Sequence, residues 1–93
     1  MALPSHLEPD LTTLRRAYPD GVPATDYLPL LVVLGRQFSA RHLAALVAEL
    51  TGGDPVVVDN DAAAAAGYRR PSCVEIERVR RHLLAHGHEE DAP

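Results

Sequence analysis

Tyr18-Pro19-Asp20-Gly21-Val22-Pro23, followed closely by Asp26-Tyr27-Leu28-Pro29-Leu30-Leu31, sets dense helix-breaking punctuation between two strongly apolar segments. Pro19 disfavours helical geometry at Tyr18, Gly21 accepts a left-handed turn, and Pro23 suits the start of the next element, so the chain reverses here. On both sides of this reversal apolar residues recur at helical spacing, and strand alternation is nearly absent. The expected fold is all-α: a compact bundle of about five short helices in a single domain over residues 1–87, with 88–93 as a disordered C-terminal tail.

Working outward, Ser5 and Glu8 form a candidate capping box, after which Leu7, Leu11 and Leu14 share one face. Pro9 falls at the end of that first turn, and the helix is expected to stop near Ala17. With Asp26 as its cap, the second helix keeps Pro29 in the first turn and turns Leu30, Leu31, Leu34 and Phe38 to the core. Pro23 to Thr25 then form an irregular lead-in. Ser39 caps the third helix, Phe38 and Leu43 occupy hydrophobic-staple positions, and Leu43, Leu46, Val47 and Leu50 make an apolar stripe that ends at Gly52. Burying those four side chains contributes on the order of 6 to 12 kcal/mol before chain entropy, which predicts this helix at the centre of the bundle.

Asp54 and Pro55 open a Val56-Val57-Val58 run, read as a packed linker because an isolated strand leaves its backbone groups unpaired. Asp59 is then the expected cap of a short fourth helix over Ala62 to Ala66, with Asp61 in its first turn and Gly67 after it. Ser72 and Glu75 form a second capping box, and Ile76, Val79 and Leu83 supply the apolar face of a fifth helix ending at Gly87.

At 93 residues the chain buries about 60 to 68% of its unfolded surface, enough for one core but too little for a deep enclosed active site. A net charge of −4 at pH 7 argues against a general attraction to nucleic acid or anionic membranes. All nine basic residues are Arg. The longest apolar stretch, Leu28 to Leu34, is far short of the roughly 20 residues a membrane span needs. One cysteine, Cys73, forms no internal disulfide, and no charged leader with an apolar run follows Met1, so a cytoplasmic location is expected.

Few residues suggest chemistry. His82, His86 and His88 are the candidate metal ligands, since a spacing of four sets the first two on one helical face. The third ligand lies beyond a glycine and no supporting partners can be named, so no metal or cofactor is expected. Cys73, at a helix start without a base partner, reads as a small terminal side chain. No serine, histidine and acid set, phosphate-cradling loop or carboxylate pair stands out, and no enzyme activity is expected. Arg69, Arg70, Arg78, Arg80 and Arg81 follow a pair of helices that superficially resembles a helix-turn-helix. The apparent turn from Gly52 to Val58 is too long, however, and Asp59 and Asp61 would repel phosphates. Glu75 and Glu77 are expected to neutralise Arg78 and Arg81.

The Tyr18–Pro23 turn, the Asp26-Tyr27-x-Pro29-Leu30-Leu31 segment, the Asp54-Pro55 to Asp59/Asp61 stretch and the Pro71-Ser72 to Ile76-Glu77-Arg78-Val79-Arg80 run together resemble the domain-of-unknown-function family 3349. Its members are small proteins, mainly of mycobacteria and related actinobacteria. The resemblance covers about Leu3 to Gly87 and implies a five-helix bundle; it carries no activity, cofactor or functional residue. The chain departs from the family pattern in its five alanines after Asp61, in Pro9, and in His88 after the terminal glycine.

The functional expectation is a small, non-catalytic protein-interaction module, monomeric or weakly self-associating. Its candidate partner surface is Val57, Ala63, Ala64, Tyr68, Arg69 and Arg70, where small residues would let a foreign helix approach beside exposed apolar groups. The alternative is a DNA-binding helical domain using Arg69, Arg70 and the fifth-helix arginines.

Overall fold

The Ser39 hydroxyl accepts a hydrogen bond from the His42 amide at 3.3 Å, and Gly52 closes the same helix in the left-handed region at φ 72°. These signals bound a helix as the sequence predicts. In the computed structural model, which describes residues 3–89, a 3₁₀ turn, Ser5–Leu7, leads into α1, Glu8–Ala17. After the chain reversal come α2, Ala24–Gly35, and α3, Ala40–Thr51. Then follow α4, Pro55–Ala66, and α5, Cys73–Ala85, with no strand among the described residues.

α2 and α3 share the centre. α2 packs on α3, α4 and α5, while α3 packs on α1, α2 and α4. Leu14, Leu30, Leu34, Leu46, Val47, Val79 and Leu83 have no exposed surface at all. The Cα radius of gyration, 12.1 Å, is what one close-packed domain of this length requires.

Four local expectations differ from the structure. Ser5 is not a cap but the first residue of the 3₁₀ turn; Leu7 precedes α1 without a side-chain bond, and Pro9 falls within the first two positions, where its missing donor costs least. α2 begins two residues before Asp26, capped by the extended Pro23, so Pro29 lies inside the helix and is buried there. Asp26 is thereby freed from capping and turned into the core. α2 is apolar around most of its circumference, so burial on several sides outweighs the one backbone bond that Pro29 forgoes.

The Val56–Val58 linker does not exist: these valines are the first turn of α4. Asp54 is the cap, its carboxylate accepting from the Val56 amide at 2.8 Å, and Pro55 takes the first helical position. A cap followed by proline overrides the weak strand preference of three valines. Finally, His88 is buried and Glu89 accepts a bond from Gln37, so both residues lie against the end of α2 although the sequence suggests a tail from 88 onward. Residues 90–93 lie outside the described residues.

Candidate functional site

Two features stand out, one polar and one apolar. The polar one is built on Asp26, whose carboxylate is almost fully buried. The Tyr18 hydroxyl donates to one oxygen at 3.1 Å; Thr25 and Arg78 donate to the other at 3.2 and 2.8 Å. The node ties the residue that ends α1 to the first turn of α2 and the middle of α5. Burial pulls the Asp26 carboxyl up, but the bonds from Arg78, Tyr18 and Thr25 outweigh it and hold the group below its ordinary range. Burial first, and then the Asp26 charge, push the Tyr18 phenol well above its ordinary range. Beside the node, the His82 ring lies tilted at 50° to that of Tyr18 with centroids 4.9 Å apart, and it donates through Nε2 to the Ala17 carbonyl at 2.6 Å.

Both oxygens of Asp26 are engaged, and its negative charge is matched by Arg78. The node holds three helices together. Sequence reasoning misses it because an aspartate near a helix start reads as a cap.

The three histidines do not converge. The His82 and His86 rings meet at 4.5 Å, but His82 uses Nε2 on Ala17 and His86 uses Nδ1 on the His82 carbonyl. His88 instead donates to the Gln37 side chain. No group of three metal-ligating side chains occurs among the described residues. Cys73 is exposed.

The apolar feature is a groove between the start of α2 and the start of α4. Val22, Leu28 and Val58 line it, with Val57 and Arg69 at its edges. The turn that decides the fold thus also supplies one wall, through Val22. Inside the groove's flank the Tyr27 hydroxyl donates to Asp61 at 2.7 Å, bracing α2 against α4; burial and this bond push the Tyr27 phenol up to about 12. Val57 is 54% exposed and Tyr68, the neighbour of Arg69, is 88% exposed.

Of the six candidate surface residues, Val57, Ala63, Tyr68, Arg69 and Arg70 are exposed, and the groove brings Val57 and Arg69 together. Ala64 must be removed from the surface: it is only 5% exposed, and its carbonyl accepts the Arg69 amide where the chain turns after α4. Arg70 lies apart from the groove, against Arg36, Ala62 and Ala66 on the opposite flank of α4.

Of the expected pairings on α5, Glu77 with Arg81 is present and Glu75 with Arg78 is not. Arg78 pairs with Asp26 rather than Glu75, whose carboxylate is occupied in the Ser72 capping box; Glu77 binds both Arg80 and Arg81. The α3–α4 turn is three residues, Gly52 to Asp54, so its length fits a helix-turn-helix after all. The charge does not: α4 contains no basic residue and two aspartates, the reverse of what a groove-reading helix needs.

The fold, the reversal and the Asp26 node are the setting for the comparison with known proteins. The family described as "Protein of unknown function (DUF3349)" matches residues 6–92. The chain belongs to this family. Three of the residues that carry the sequence resemblance, Tyr18, Asp26 and Arg78, meet at the polar node, so the DUF3349 pattern in this chain coincides with its tertiary fastening. No curated protein and no solved structure matches the chain. No helix among the described residues is long and apolar enough to cross a membrane.

Proposed function

We propose that this domain is a non-catalytic protein-interaction module that binds a partner through the groove between α2 and α4. The observation that carries this reading is the exposed Val57 beside Arg69, which makes no ion pair among the described residues, at a groove lined by Val22, Leu28 and Val58, with the exposed Tyr68 next to Arg69 in the chain. Tyrosine and arginine rims around apolar pockets are the composition of interface hot spots. A passive role is further supported by the engagement of Asp26 with Tyr18, Thr25 and Arg78, and of His82 and His86 with backbone carbonyls. A cytoplasmic location belongs to the same proposal, supported by the lone free thiol of Cys73.

The test compares gentle isolation of wild-type protein from its own cells with isolation of a Val57→Asp/Tyr68→Ala variant. A stoichiometric protein should accompany the wild type at moderate salt and be lost from the variant, with far-UV circular dichroism unchanged. Equal capture by both would sink the groove. Nucleic acid that leaves steeply with added salt would point instead to Arg69 and Arg70 as phosphate ligands.

A further inference from the structure

The flank of α4 opposite the groove holds a second, smaller cavity, about 240 Å³, between the C-terminal halves of α2 and α4. Leu31, Val32 and Leu43 wall it, and it stays open because the facing positions are small: Ala62 and Ala66 on α4 and Gly35 at the end of α2. A Cβ on Gly35 would meet only the Leu43 side chain, at 3.8 Å, so the glycine leaves room unfilled. The charged residues that line the cavity are Arg36 and Arg70, both exposed and neither in an ion pair or side-chain hydrogen bond among the described residues. Each follows a helix C-terminus, where a cation complements the half-negative carbonyl end. Two full charges against about two halves still leave a surplus of roughly one, in a chain whose net charge is −4.

We propose that this cavity binds a small monocarboxylic acid with an aliphatic tail. The tail lies against Leu31, Val32 and Leu43, and the carboxylate meets the two guanidiniums, whose planar forks match its oxygens. A surplus of about one positive charge suits a monoanion better than a phosphate dianion. A sugar or other polar anion would leave hydroxyls unpaired against the apolar wall, and a bare inorganic anion would forfeit the apolar contacts. With each non-hydrogen atom taken at about the 30 Å³ that one water occupies in the liquid, the 240 Å³ cavity holds roughly eight of them, the size of hexanoate. The cavity shares no lining residue with the Val57–Arg69 groove and needs no protein partner, so it goes beyond the partner-binding reading and either proposal can fail without the other.

Hexanoate titrated at low salt into the isotope-labelled full chain should move the amide resonances of Leu31, Val32, Leu43, Ala62 and Ala66 along one saturating curve. Hexanol has the tail without the charge and acetate the charge without the tail, so each should bind at least about tenfold more weakly. Arg36→Gln and Arg70→Gln should each weaken hexanoate by about tenfold. Gly35→Leu, which fills the cavity and keeps both arginines, should abolish binding. If that variant loses helical circular dichroism, Ala66→Leu, at an exposed position on the cavity wall, is read in its place with the same expectation. Shifts that rise linearly without saturating, hexanol as tight as hexanoate, or folded arginine variants that bind like the wild type would overturn the proposal. A peptide ending in leucine that binds more tightly than hexanoate would overturn the free acid as the occupant.

Discussion

Asp26 shows how much one side chain changes when it turns inward. As a helix cap it would bond a single amide; as found, it fastens Tyr18, Thr25 and Arg78, which come from three parts of the chain. Removing it leaves the Tyr18 hydroxyl without its acceptor in a buried place. Asp26→Ala is therefore expected to cost about 1 to 3 kcal/mol, measured by urea denaturation. Its folded pKa lies below the unfolded value, so the wild-type contribution is fully present above the unfolded pKa and is lost as pH falls through the folded one. The stability difference between wild type and Asp26→Ala should accordingly shrink on acidification; a difference that stays constant to low pH would show that the carboxylate charge does not matter. Tyr27 has the opposite sign. With its phenol raised to about 12 from 10.0, the contribution is complete below 10 and disappears as pH climbs between the two values. Tyr27→Phe should remove the phenolate absorbance step near 12 and lower stability by about 1 kcal/mol at neutral pH.

Among the elements, α3 and α5 were legible because their caps lie next to their apolar stripes. Ser39 and Gly52 bracket one, and the reciprocal Ser72–Glu75 pair opens the other. α4 was harder. Its apolar residues follow no stripe, since three valines and five alanines leave little contrast between its faces, and only Asp54-Pro55 marks where it begins. Asp54→Ala should cost about 1 kcal/mol and lower helical ellipticity, whereas Asp59→Ala should leave both unchanged. A matched pair of substitutions tests the facing of the helix. Ala63→Arg should keep the circular dichroism of the wild type, and Ala64→Arg should lower the melting temperature sharply, because one position faces water and the other is buried.

At the scale of the molecule, α2 and α3 form the common support, and Leu46 lies fully buried within it. Leu46→Ala should destabilise by about 2 to 5 kcal/mol in chemical denaturation, the range for a large buried aliphatic that leaves a cavity. The all-helical class, the five segments and the reversal at Tyr18 to Pro23 could be read from the residues alone, because helical spacing, caps and prolines act within a few positions of one another. The surface could be read only in outline: five of the six candidate residues are exposed, but periodicity in an alanine run does not say which member faces inward. Which acid meets which arginine was decided by tertiary structure alone, as was the closing of Val22, Val57 and Arg69 around one groove. Those pairings join residues far apart in the chain, and they exist only where helix packing brings the side chains within bonding distance.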